Sequence, residues 1–127
     1  MKKILFTLLL VLGISAAADA QVRFLDSSTD AVRKEAIAQD KLVFIDLYAT
    51  WCGPCKAISP LVSKLAEEYD GKLVVGKCDV EQNEDITMEY AVRNIPTLLF
   101  FKDGKLVNKH VGAPNESKMR ALFDKLL

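Results

Sequence analysis

One histidine, one tryptophan and three cysteines are all that this 127-residue chain holds of the side chains that most often bind metals, stack on ligands or staple small folds. Each shortage excludes something. A structural zinc site wants four ligands, and beyond the pair Cys52/Cys55 the chain offers only Cys78 and His110. Three cysteines are too few, and an odd number, for a disulfide-framework mini-protein. The 17 basic and 17 acidic side chains balance and are interspersed, with no basic stripe or acidic block, so nucleic acid is not an expected partner. No apolar run reaches the ~20 residues that a spanning helix needs. Repeats, low-complexity tracts and Gly/Ser linkers are missing as well, and the length fits one domain with a modest core.

What is present begins with an address. Lys2-Lys3 forms a basic start, Ile4 to Ile14 an apolar core broken only by Thr7 and Gly13, and Ala18-Asp19-Ala20 a small-residue cleavage pattern. We expect residues 1–20 to be a secretory signal peptide and 21–127 the exported domain, periplasmic or otherwise extracytoplasmic. Such a compartment permits disulfides. No cysteine follows the apolar core, so a lipid anchor is not expected; the alternative is an uncleaved membrane anchor.

The chain turns on Trp51-Cys52-Gly53-Pro54-Cys55-Lys56. These residues follow an apolar run, Leu42 to Tyr48, that reads as a buried strand, and precede a helical pattern reaching Tyr69. Cysteines spaced i, i+3 in a helix's first turn have Cα atoms roughly 5 Å apart, inside the bridging range of ~4.4–6.8 Å. On the chain-entropy model, so small a ring stabilises by about 2 kcal/mol, against about 4.7 for a 100-residue loop. That suits a reversible redox couple better than a staple. Cys52, at the helix start, faces free N–H groups and the positive end of the macrodipole, both of which favour thiolate. Lowering its pKa by ~1.5 takes ~2 kcal/mol. The dipole gives about 0.3–1, so hydrogen bonds from amides and the Cys55 thiol must supply the rest. Pro54 is tolerated because first-turn N–H groups have no helical partner. Cys55, one turn in, should be the more buried, resolving thiol.

Taken in order, Val22–Leu25 reads as a short strand and Ser27 or Ser28 as the cap of a helix to about Gln39. Leu42–Tyr48 has the near-continuous apolar character of a strand covered on both faces. Pro60 should kink the helix after it, and Gly71 should end that helix. Lys72–Val80 is the next strand, and Asn83 caps a short helix to about Val92. Thr97–Phe101 and Leu106–Val111 form a hairpin about Asp103-Gly104. Asn115 then caps a last helix whose Met119, Leu122, Phe123 and Leu126 share one face. The order is βαβαβαββα.

On these residues the sequence resembles the thioredoxin family over roughly Phe24 to Leu127. The motifs are Trp51 to Lys56, Asp46 six residues before Cys52, Ile95-Pro96-Thr97, and Val111-Gly112 after the hairpin. The resemblance implies an α/β thioredoxin fold, a central mixed β-sheet flanked by helices, with dithiol–disulfide exchange as its activity. It assigns Cys52 as nucleophile and Cys55 as resolving cysteine, joined as a redox disulfide. Asp46, a carboxylate inside an apolar strand, would take the Cys55 proton, its pKa raised by burial and tuned by Lys77. Ile95-Pro96 would be a cis-proline loop offering the Ile95 backbone to a substrate segment. Trp51, Gly53, Pro54, Gly112 and Ala113 would complete the docking surface. No cofactor or metal is expected. Tyr48 departs from the family's usual tryptophan. Cys78 reads as a small buried hydrophobe and His110 as an unremarkable strand residue.

Direction of electron flow is a separate matter. Gly53-Pro54 places no histidine between the cysteines, which resembles a reductant rather than an oxidant. An exported reductant needs electrons carried across the membrane. We therefore expect an extracytoplasmic, monomeric reductase of protein disulfides with a membrane electron donor. The alternatives are a disulfide oxidase or isomerase, and a non-catalytic binding module of the same fold.

Overall fold

The computed structural model describes residues 23–25, Lys34 and residues 38–127. In these the chain runs β1 (Arg23–Leu25), β2 (Leu42–Tyr48), α1 (Gly53–Glu68), β3 (Leu73–Asp79), α2 (Glu84–Glu89), β4 (Thr97–Lys102), β5 (Lys105–Val111) and α3 (Glu116–Leu126). The helix expected from Ser27 or Ser28 falls outside the described residues, apart from Lys34 and Ala38, both helical. Among the described residues no helix is long and apolar enough to cross a membrane.

The strands form one mixed sheet in the order β1-β3-β2-β4-β5. β2 lies at its centre, parallel to β3 and antiparallel to β4. Alternation along β2 explains its apolar run, because successive side chains point to opposite faces. Leu42 and Phe44 join Leu98 and Phe100 on the face covered by Ile58, Val62 and Leu65 of α1 and Met119 and Phe123 of α3. Val43, Ile45 and Leu47 join Cys78, Leu99 and Phe101 on the other face, where Ile86 of α2 packs. Both faces are buried, so polar alternation is absent. The same count of two puts Asp46 on the α1 side.

Local chemistry sets the ends of the elements. Asp103 and Gly104 both have positive φ (53° and 78°), the conformation a two-residue hairpin turn requires. Asn115 caps α3 by accepting from the Lys118 N–H at 2.8 Å. Three expectations need correction. α1 contains Pro60 and ends at Glu68, where the Tyr69 carbonyl accepts from both Lys72 and Leu73. Gly71 (φ 82°) therefore belongs to the turn after the helix. Asn83 occupies the N-cap of α2, but its amide donates to the Asp79 carbonyl rather than capping. α2 stops at Glu89, short of Val92, because Ala91 turns left-handed at φ 50°.

Candidate active site

The turn from β2 into α1 builds the reactive pair. The Cys52 N–H donates to the Ala49 carbonyl at 3.2 Å, and Cys52 itself is the N-cap of α1 in an extended conformation. Its sulfur takes the role a serine oxygen plays in ordinary caps, accepting the Cys55 N–H at 3.2 Å. Pro54 sits in the first turn. Cys52 and Cys55 are joined as a disulfide with Cα atoms 5.3 Å apart, close to the spacing argued from helical geometry. The expected contrast in exposure is slight. Cys52 is 4% exposed and Cys55 2%, because Ala49 and the side chain of Ile95 close over both.

On β2, six residues before Cys52, Asp46 is wholly buried, with neither carboxylate oxygen hydrogen-bonded. It is not an acid at a strand end reaching solvent. β2 and β3 set Asp46 opposite Lys77 in register. The ammonium lies 3.8 Å from Asp46 Oδ2, beyond hydrogen-bond length. Burial pushes the Asp46 carboxyl up to about 6, against the opposing pull of Lys77. Lys77 donates instead to Ser59 Oγ at 2.8 Å and stands 4.6 Å over the ring of Tyr48, a cation–π distance. Tyr48 thus gives the lysine an aromatic face. A hollow of about 560 Å³ opens here, lined by Tyr48, Cys55, Lys56, Ser59 and Lys77 among others.

Across the pair stands the loop before β4. The Ile95-Pro96 bond is cis, and the Ile95 carbonyl oxygen lies 3.9 Å from Cys52 Sγ. The Gly112 N–H donates to the Pro96 carbonyl at 2.8 Å, tying the end of β5 to this loop. Ala113 follows, exposed, as are Gly53 and Pro54. Trp51 is 68% exposed, so core packing does not account for it. With Ile95, Val80 and Arg93 it lines a second hollow of about 280 Å³. Cys52, Cys55, Ile95, Pro96, Gly112 and Trp51 therefore border one surface, and Lys77, 3.8 Å from Asp46, lines the hollow beside Cys55.

Two residues at this site escaped the sequence argument. Glu81 accepts a hydrogen bond from Trp51 Nε1 across thirty positions of chain, and no local pattern announces such a contact. Ser59 had a usable signal: four residues after Cys55, it falls on the same helical face. Cys78 is buried on the opposite face of the sheet, where burial lifts its thiol to about 11. His110 occupies a half-buried position on β5.

A CxxC disulfide at a strand-to-helix turn on this sheet, faced by the Ile95-Pro96 loop, defines a thiol–disulfide oxidoreductase. The family model described as Thioredoxin matches residues 25–125, and the chain belongs to the thioredoxin family. It is 49% identical over 89 residues to Thioredoxin-T of Drosophila melanogaster, covering 70% of this chain and 56% of that protein. It is 49% identical over 82 residues to Thioredoxin C-2 of Corynebacterium nephridii, covering 65% and 76%. It is 42% identical over 97 residues to a thioredoxin of Pseudomonas aeruginosa, covering 76% and 90%.

Proposed function

We propose that this protein reduces protein disulfides outside the cytoplasm, supplied with electrons by a membrane carrier. The observation that carries the chemistry is the Cys52 sulfur at the N-cap of α1, accepting the Cys55 amide. A sulfur so placed is stabilised as thiolate once the bridge opens. Its attack forms a bond to one substrate sulfur, and the other leaves as a thiolate that takes up a proton. Cys55 then gives its proton to Asp46 by way of the hollow it shares with Lys77 and attacks the Cys52 sulfur. The mixed disulfide breaks, the second substrate sulfur leaves as a thiolate that takes up a proton in place of the one Cys55 gave to Asp46, and the Cys52–Cys55 disulfide is restored. Two electrons and two protons pass to the substrate. Trp51, Gly53, Pro54, Ile95, Pro96, Gly112 and Ala113 hold the substrate segment, with the Ile95 backbone pairing it beside Cys52.

Gly53-Pro54 between the cysteines supports the reducing direction, and the Lys2 to Ala20 pattern supports export. Cys55→Ser should stall the reaction at the mixed disulfide, and partners captured this way in the exported fraction should be disulfide proteins. Intact mass of that fraction should match residues 21–127. A mature form that still begins at Met1 overturns the soluble exported reading. Capture of nothing by Cys55→Ser, with unimpaired function in a Cys52→Ser/Cys55→Ser double variant, would mean a binding module.

A further inference from the structure

We propose that Ser59 is a positioning residue whose hydroxyl holds the Lys77 ammonium off Asp46, leaving that carboxylate without a close partner. A buried carboxylate beside a buried ammonium ordinarily closes to a charge-assisted hydrogen bond of about 2.7–2.9 Å. Here the ammonium is 3.8 Å from Asp46 Oδ2 and 2.8 Å from Ser59 Oγ, with the Tyr48 ring centroid 4.6 Å away. Lys77 is only 11% exposed through its side chain, so solvent does not substitute freely for the serine. Ser59 and Tyr48 together pull the cation to one side, and both Asp46 oxygens are left without a hydrogen bond.

The groups around Asp46 leave few other candidates for this role. From β2 comes Tyr48 and from β3 Lys77, with Asp79 at the strand's end. α1 contributes Ser59, which lines the hollow beside Lys77 with Cys55, Lys56 and Ser63, and Thr50 of the preceding turn lines it too, but of these hydroxyls Ser59 is the one bonded to Lys77. β4 presents Leu98 opposite Asp46, with apolar Phe100 two residues on. Ser59 is therefore the one hydroxyl bonded to the cation among the described residues. Its place on α1, one turn past Cys55, couples the helix that carries the resolving thiol to the charge that governs the carboxylate. A lysine held aside opposes protonation of Asp46 less than a lysine in contact. The carboxyl then keeps an affinity for protons suited to receiving one from Cys55.

Removing the hydroxyl should release the ammonium toward Asp46. An approach of about 1 Å at an effective dielectric near 20 lowers the ionisation midpoint of the carboxyl by about one pH unit. The test is a direct carboxyl-carbon NMR titration of Asp46 in the oxidised protein, its signal assigned with Asp46→Asn. Ser59→Ala should move the midpoint down by about one pH unit, while Ser59→Thr, which keeps the hydroxyl, should leave it in place. In a Lys77→Gln background, Ser59→Ala should have no effect. An unmoved midpoint in folded Ser59→Ala overturns the inference, as does an equal shift without Lys77. The inference rests on the proposed role of Asp46 only for its catalytic consequence, and single-turnover release of the mixed disulfide separates the two. A shifted midpoint with an unshifted rate profile would leave Ser59 its role and remove that of Asp46.

Discussion

Burial carries the Asp46 carboxyl from its ordinary 3.8 to about 6, with the Lys77 charge opposing the rise. Folded Asp46 therefore holds its proton more tightly than the unfolded chain does. Its stabilising contribution is fully present below the unfolded value and is lost as pH rises through about 6, a swing of ~3 kcal/mol. Asp46→Asn removes the ionisable group, so the variant should gain on the parent as pH climbs. The buried amide will itself lack partners, which costs ~1–3 kcal/mol and takes back part of the gain. We predict a variant ~1 kcal/mol less stable than the parent at pH 4 and ~1–2 kcal/mol more stable at pH 8, read by urea unfolding at each pH. The same variant should release the mixed disulfide more slowly, near the lower end of the roughly 10²–10⁴ that a general base contributes. A variant less stable at pH 8 and equally fast would assign Asp46 a purely structural part. Ala91 is a second residue out of its element. Its φ of 50° suits glycine, and the Lys109 ammonium holds the turn by donating to the carbonyls of Tyr90 and Ala91. A left-handed alanine costs ~1–2 kcal/mol, of which glycine's extra unfolded-state freedom returns ~0.4–1. Ala91→Gly should accordingly stabilise by ~0.5 kcal/mol, a small rise in urea midpoint with unchanged slope.

At the scale of elements, α3 shows which contacts decide docking. Its cap, Asn115, satisfies one amide, and Asn115→Ala should cost ~1 kcal/mol. Phe123 stacks edge-on against Phe44, Phe100 and Tyr69 with ring centroids 5.2–5.9 Å apart. Phe123→Ala should cost ~3–5 kcal/mol and, alone of the two, should lower the cooperativity of unfolding. The exposed ion pairs Arg120–Glu68 and Lys64–Glu116 join the same helices, yet surface pairs of this kind add little. Thermal and urea unfolding of the two variants would rank them, and a larger loss from the cap than from the ring would reverse the argument. α3 was legible in the sequence because its cap and its apolar face are local patterns. So were β2, from its unbroken apolar run, and the hairpin, from Asp103-Gly104. The short reach of α2 was not legible. It depends on a left-handed alanine held by a lysine eighteen residues away, and nothing near Ala91 marks that conformation. At the site, the cysteine pair and Asp46 could be placed from spacing and burial pattern. The cis bond and the pairing of Lys77 with Asp46 came from the family resemblance. Ser59 and Glu81 became visible only when strand register and helix phase brought distant residues together.

Over the whole molecule, β2 and its neighbours form a wall with the redox chemistry on one side and Cys78 on the other. Cys78 is fully buried among Val43, Leu47, Ile86 and Leu99, and its thiol is pushed up to about 11. In the reduced protein Cys52 should alkylate within minutes below pH 7, since it alone caps a helix. Cys78 can react by two routes that differ in magnitude and in sensitivity to denaturant. Through the native state it is occluded, and its thiolate fraction at pH 8 is about a thousandth. Through global unfolding it waits on a population of roughly 10⁻⁴ for a stability of ~5 kcal/mol, but the exposed thiol then has its ordinary pKa near ~8.5. Occlusion by close-packed side chains leaves the native route no path for a reagent, so unfolding should govern. Cys78 labelling should therefore rise with urea in step with the unfolding constant. A rate indifferent to low urea would mean that the far side of the sheet opens locally, and that the thiol reacts from within the folded molecule.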